Sequence, residues 1–176
     1  MKKNTLRLLL FWECNLKCTY CCNEIPEIRK DIEEINLKDI DWTAYDSFCI
    51  SGGEPFLKPD RVELILELIS KYNPTARVWI YSNGTRQTSL EAMTLFMTYP
   101  GILRGINIGL HSEYKKSWPK LIEKFKMFAQ VRFHVEDIFK EEILDEYEDE
   151  MGAERFHFWK MNACDTPNED VRILKQ

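Results

Sequence analysis

The sequence lacks the marks of an exported or membrane-inserted chain. Its short apolar run Leu8–Trp12, behind Met1-Lys2-Lys3, has no small-residue cleavage site after it. The run also falls far short of the roughly 20 residues that a membrane helix needs. That absence argues against the disulfide scaffold which six cysteines would otherwise suggest. Clustered thiols without an export signal more often bind metal, so the expected location is the reducing cytoplasm. No internal repeat and no long linker is visible, and 176 residues suit a single domain, 1–176. A strongly basic balance is lacking too. The net charge is −5, and residues 136–150, with nine acids and Lys140, carry −8 of it, leaving +3 elsewhere. Ile138, Phe139, Ile143, Tyr147 and Met151 recur there at helical spacing, so the block reads as an amphipathic helix with a solvated acidic face. Lys116, Lys120 and Lys124 form a stripe too sparse for a nucleic-acid surface and read as a solvated helix face.

What is present is an alternation of strand and helix. Strands are expected at Leu6–Trp12, Ser47–Ser51, Arg77–Tyr81, Arg104–Leu110, Val131–Val135 and Arg155–Trp159. Helices are expected at Ile28–Ile40, Asp60–Tyr72, Ser89–Thr98, Ser117–Ala129 and in the acidic block. Six such units imply parallel strands with helices packed outside, curled by right-handed crossovers into an open barrel over about 6–160. A short polar tail, about 161–176, closes the chain.

Functional residues of parallel β/α architectures collect at the carboxyl ends of strands. Four motifs fall there: Cys14, Cys18 and Cys21 after the first strand, Gly52-Gly53-Glu54-Pro55 after the second, Ser82-Asn83-Gly84 after the third, and His111-Ser112 after the fourth. The cysteine spacing is C-x3-C-x2-C, with Tyr20 before the third thiol. Three thiolates on one loop can hold three irons of a [4Fe–4S] cube, and no nearby fourth cysteine closes the last iron, which stays open to bind something else.

In these motifs the chain resembles the radical S-adenosylmethionine (SAM) superfamily. That resemblance implies an α/β partial (β/α)6 barrel, a [4Fe–4S] cluster on Cys14, Cys18 and Cys21, and SAM chelating the open iron. It further implies reductive cleavage to methionine and a 5′-deoxyadenosyl radical that draws hydrogen from a substrate. Electrons would come from a flavodoxin or ferredoxin. Tyr20, Gly52, Gly53, Glu54, Pro55, Ser82, Asn83, Asn107 and His111 are the implied SAM contacts, with Glu54 toward the ammonium and Tyr20 near the adenine. Gly109 stands where the family often has a ribose-binding serine, and Asn107 or Ser112 could substitute. Substrate classes left open are a nucleotide or nucleic acid, a glycyl-radical enzyme activated as a partner polypeptide, and a small molecule. The lack of a cysteine-rich carboxyl-terminal extension argues against the peptide-modifying subclass.

Competing readings accompany each feature. Three close cysteines could bind zinc, although structural zinc usually takes four protein ligands; a noncatalytic metal-binding module would follow. Cys22 reads as a bystander, Cys49 as core, and Cys164 as either a spare thiol or a group near the barrel mouth. Strand alternation puts Arg132, His134 and Glu136 on one face, toward a lumen, where they are the expected substrate contacts. Alternatively Arg132 pairs with Glu136 and His134 is an interior residue. His157 and Lys160 are weaker candidates of the same kind, and Trp159 could be core.

Overall fold

The computed structural model describes residues 4–19, 21–160 and 169–175. Its centre is one eight-stranded sheet in which every pairing is parallel. The strands are β1 (Thr5–Leu9), β2 (Glu33–Ile35), β3 (Ser47–Ser51), β4 (Arg77–Ser82), β5 (Leu103–Leu110), β6 (Val131–Glu136), β7 (Phe156–Trp159) and β8 (Glu169–Leu174). They lie in the order β2-β8-β1-β3-β4-β5-β6-β7, so the sheet is open, with β2 and β7 at its edges. The helices are α1 (Pro26–Asp31), α2 (Pro59–Tyr72), α3 (Ser89–Thr98), α4 (Trp118–Phe125) and α5 (Lys140–Met151). This is a partial β/α barrel, as expected. No helix among the described residues is long and apolar enough to cross a membrane.

The two faces of the sheet differ in chemistry because side chains alternate along each strand. Leu6, Leu8, Phe48, Ile50, Val78, Ile80, Ile106, Ile108, Phe133 and Val135 are all buried. They join Val62, Ile65, Leu66 and Ile69 of α2 and Leu121, Ile122 and Phe125 of α4 in one hydrophobic core. The opposite parity carries Arg7, Cys49, Tyr81, Asn107, Gly109, His134, His157 and Glu169. Hydrophobic burial thus holds the helices to one face and leaves the other polar.

Two expectations are corrected. Residues 28–40 do not form one helix: α1 stops at Asp31, β2 joins the sheet, and a 3-10 turn (Leu37–Asp39) follows. Pro26 starts α1 at its first turn, and the pattern behind it cannot reveal a three-residue edge strand whose partner lies some 140 positions away. The carboxyl-terminal stretch is not only a polar tail beyond the barrel, since Glu169–Leu174 pairs with β1 on one side and β2 on the other. Among the described residues the barrel therefore has eight strands where six were expected. Smaller differences concern the charged surface. Lys124 is not simply solvated: its Nζ donates to the carbonyls of Gly84 and Gln87, both at 2.7 Å. Ile138 is exposed rather than on the buried face of the acidic helix.

Candidate active site

The cysteine loop after β1 is held from three directions. Gly53 N donates to Phe11 O at 2.7 Å and Glu54 N to Glu13 O at 2.8 Å, so the Gly-Gly-Glu-Pro segment lies directly against the start of the loop. A Cβ on Gly53 would stand 1.6 Å from Glu13 O, and one on Gly52, whose φ is +132°, would stand 2.7 Å from Phe11 O. The glycines are required for this backbone approach. From a second side, Asn83 Nδ2 donates to Asn15 Oδ1 at 3.0 Å and contacts Cys14 Sγ at 3.7 Å. Asn15 Nδ2 in turn donates to Thr85 Oγ1 at 2.8 Å. From the third side, Thr19 N donates to Glu113 Oε1 at 2.5 Å and Lys17 N to Tyr114 Oη at 3.0 Å. Glu113 and Tyr114, on the 3-10 segment after β5, gave no signal in the sequence.

Cys14, Cys18 and Cys21 all line one cavity of about 880 Å³, together with Gly52, Gly53, Ser82, Asn83, Asn107 and His111. The three thiols are reduced. Burial, then Glu113 and the neighbouring thiols, pushes Cys18 up to about 12, and burial also raises Cys21. Such thiols ionise when a metal compensates the charge. Among the described residues no three His, Cys, Asp or Glu side chains converge on a single-ion point. The donor set, three soft thiols lining one cavity, suits an iron–sulfur cube, which thiolates hold.

Glu54 lies behind the cavity wall. Its carboxylate is fully buried and accepts from Phe56 N at 3.0 Å, Ser82 Oγ at 2.8 Å and Asn83 N at 2.7 Å. It joins the turn after β3, including Pro55, to the turn after β4. Burial raises its pKa, while those donors pull the other way. The backbone of Gly52 and Gly53 reaches the cavity in its place. The Gly109 position also finds a physical account: a Cβ there would lie 2.9 Å from His111 Nε2. The glycine makes room for the imidazole, which burial keeps below its usual pKa. Asn107 lines the cavity beside it. Ser112 is engaged elsewhere, its Oγ donating to Glu136 Oε1 at 2.7 Å.

Below this mouth the cavity continues into the polar lumen, lined by Arg7, Tyr81, His134, Trp159 and Glu169. Arg7 Nε and Nη2 donate to the two Glu169 oxygens at 2.5 and 3.0 Å, and the guanidinium lies 4.4 Å from the centre of the Tyr81 ring. Burial works against the Arg7 charge, but the Glu169 carboxylate outweighs it and holds the guanidinium protonated. Cys49 is buried as expected, yet on the lumen side, 3.8 Å from Glu169 Oε1, and burial pushes it up to about 11. Outside the cavity lining, Trp79 lies across Gly105, where a Cβ would meet the indole at 2.5 Å, and Arg132 stacks on that ring at 4.6 Å.

The fifth-strand trio is therefore divided. His134 lines the cavity, Arg132 stacks on Trp79 outside its lining, and Glu136 is 3% exposed and engaged with Ser112. Arg132 and Glu136 form no ion pair. Trp159 belongs to the cavity wall. Lys160 is exposed and outside the wall. Tyr20 and Cys164 lie outside the described residues. Sequence reasoning missed Arg7, Tyr81 and Glu169. Arg7, a lone charge between Leu6 and Leu8, was a usable signal; Glu169 had none before its strand was known.

His134 carries a pH prediction. Burial, then His157, Arg132 and Arg7, lowers it from 6.5 to about 4. The unfolded chain thus binds a proton between those pH values that the folded chain refuses. Stability is expected to be full above pH 6.5 and to fall toward pH 4, by at most about 3 kcal/mol from this group. Urea unfolding of the apoprotein at pH 7 and pH 4.5 should show a smaller drop for His134→Gln than for the parent. Equal drops would mean that this imidazole is not desolvated.

Comparison with known proteins agrees with this geometry. The family model of the radical SAM superfamily matches residues 13–145, and the chain belongs to that superfamily. It is 29% identical over 127 residues to a GTP 3′,8-cyclase of Microcystis aeruginosa, covering 66% of this chain and 37% of that protein. A Streptomyces coelicolor GTP 3′,8-cyclase is 33% identical over 88 residues, 45% of this chain and 26% of the other. A candidate glycyl-radical enzyme activating enzyme of Methanocaldococcus jannaschii is 35% identical over 96 residues, 52% of this chain and 38% of the other. The matched stretch thus spans less than two-fifths of the length of each of these relatives.

Proposed function

We propose that the protein is a radical SAM enzyme acting on a small substrate, of nucleotide type, held in the lumen. Cys14, Cys18 and Cys21 would hold the [4Fe–4S] cluster, which when bound supplies the electron that cleaves SAM to methionine and a 5′-deoxyadenosyl radical. Gly52 and Gly53 offer backbone to the SAM methionine moiety, and Ser82, Asn83, Asn107 and His111 stand where its polar groups would lie. Glu54 acts as a positioning residue that joins two of these turns. A flavodoxin or ferredoxin is the proposed reductant, and the cytoplasm the proposed location.

The observation that carries the small-substrate reading is the lumen itself. Half-buried Arg7, Tyr81, His134 and Glu169 line it, and the whole cavity, mouth and lumen together, has a volume of about 880 Å³, in the range of small-molecule pockets. The cyclase relatives support a nucleotide. The activating-enzyme relative supports the second reading, in which a glycine-bearing polypeptide enters the same mouth.

With SAM, a strong reductant and no oxygen, the reconstituted protein is expected to produce 5′-deoxyadenosine and methionine. Deuterated nucleotides, a glycine-bearing polypeptide and a free amino acid can then be offered in turn, because label enters 5′-deoxyadenosine only from the group that donates hydrogen. A protein that assembles its cluster but cleaves no SAM, with or without these additions, would be a metal-binding module instead.

A further inference from the structure

We propose that the polar sheet face at β6 and β7, which meets the cavity at His134, is an oxyanion subsite in which His134, His157 and Arg132 receive a carboxylate or phosphate substituent of the substrate. The inference rests on the reading that the substrate occupies this lumen.

The chain has only three histidines, and all of them stand on or just after β5, β6 and β7. His134 Nε2 is buried and has no hydrogen-bond partner, although His134 lines the cavity. A buried polar atom without a partner calls for a group that the structure does not itself supply. His157 is its register partner, and the two rings lie parallel, 5.1 Å apart and inclined by 9°. His157 is exposed and outside the cavity lining, so the pair extends the polar face from the cavity toward the β7 edge.

The charges facing this point decide what kind of group it is. Arg7 is neutralised by Glu169, and Tyr81 presents its ring edge-on to His134 at 5.6 Å. Arg132, two residues below His134 on the same strand face, has no carboxylate within ion-pair distance among the described residues. Glu136, the nearest acid on β6, is engaged with Ser112. One guanidinium charge is therefore left uncompensated beside two imidazoles. It lowers the pKa of both, with burial the larger cause in each. An oxyanion satisfies Nε2, offsets Arg132 and reverses that effect, since an anion favours the imidazolium. A neutral hydrogen-bonding group would do only the first of these.

The test uses the anaerobically reconstituted protein with SAM bound. Inorganic phosphate and, separately, acetate are titrated at constant ionic strength while the imidazole resonances are followed. His134→Gln, His157→Gln and His111→Gln assign the signals. One of the two anions is expected to raise the His134 midpoint by a unit or more, which is about a tenfold gain in proton affinity, with His157 moving alongside. Arg132→Gln should weaken that anion about tenfold by removing one charged partner, while Arg132→Lys should retain most of the binding. Tighter phosphate identifies a phosphorylated substrate and tighter acetate a carboxylate. If His134 and His157 do not respond to either anion while SAM still binds by calorimetry, the subsite is overturned. Failure of SAM itself to bind counts against the proposed function and not against this subsite, which the anion titration reads independently.

Discussion

Cys14→Ala, Cys18→Ala and Cys21→Ala are each expected to lose the visible absorbance of the cluster and to retain far fewer than the about four irons per chain that a complete cube carries. Each variant removes one of three thiols on a common cavity wall, and a cube held by two protein ligands is open to solvent at two corners. SAM cleavage should fall below detection in all three, because the electron that breaks the bond comes from the cluster. Cys22→Ala is expected to keep both iron and cleavage. Anaerobic iron and sulfide analysis beside the optical spectrum distinguishes the outcomes. Stoichiometric zinc in the purified protein, with no iron uptake on reconstitution, would defeat the cluster assignment.

A second large effect is expected from Gly53→Ala. The added methyl would sit 1.6 Å from Glu13 O and 2.2 Å from Glu13 C, atoms of backbone that cannot rotate away. It would also force apart the Gly53 N–Phe11 O and Glu54 N–Glu13 O hydrogen bonds. Overpacking of this kind costs about 3 kcal/mol or more. The strain falls on the chain entering the cysteine loop, so cluster assembly should fail together with stability. Gly101→Ala is the control, since nothing lies within 4 Å of a Cβ there. Thermal melts and iron content of the two variants measure the difference. A Gly53→Ala protein with parental stability and full iron would show that the two loops are not locked together.

This result bears on what the Gly-Gly-Glu-Pro motif does. From sequence the glycines read as making room for a ligand, and Glu54 as an acceptor for the SAM ammonium. In the structure the glycines make room for the cysteine loop, and the Glu54 carboxylate is enclosed by Phe56, Ser82 and Asn83. The motif couples three loops at the mouth of the barrel.

Much of the architecture was legible because periodicity reports burial directly. Ser47–Ser51 and Ser89–Thr98 have the ends read from the pattern, and β4, β5 and β6 differ by a residue at one end. These segments bury one face against immediate neighbours in the sheet or helix layer, so composition and spacing carry the information locally. The cysteine triplet and the strand-end position of the other motifs were legible for a related reason. Parallel β/α connections put every such end at one mouth.

Tertiary structure alone decided the rest. No local pattern announces that Glu169–Leu174 inserts between β1 and β2, because the strand is only half-buried and its partners lie at the other end of the chain. With that strand comes Glu169, and with Glu169 the neutralisation of Arg7. Alternation correctly set Arg132 and His134 on one face, but it could not tell which acid, if any, would meet Arg132. Ser112 engages Glu136, and Trp79 lies under the guanidinium. The sequence by itself determined that three thiols share one loop and where six of the eight described strands run, because thiol spacing and hydrophobic period are local. The pairing of charges in the lumen was decided only by the closure of distant strands around it, because ion pairs depend on distances that sequence separation does not set.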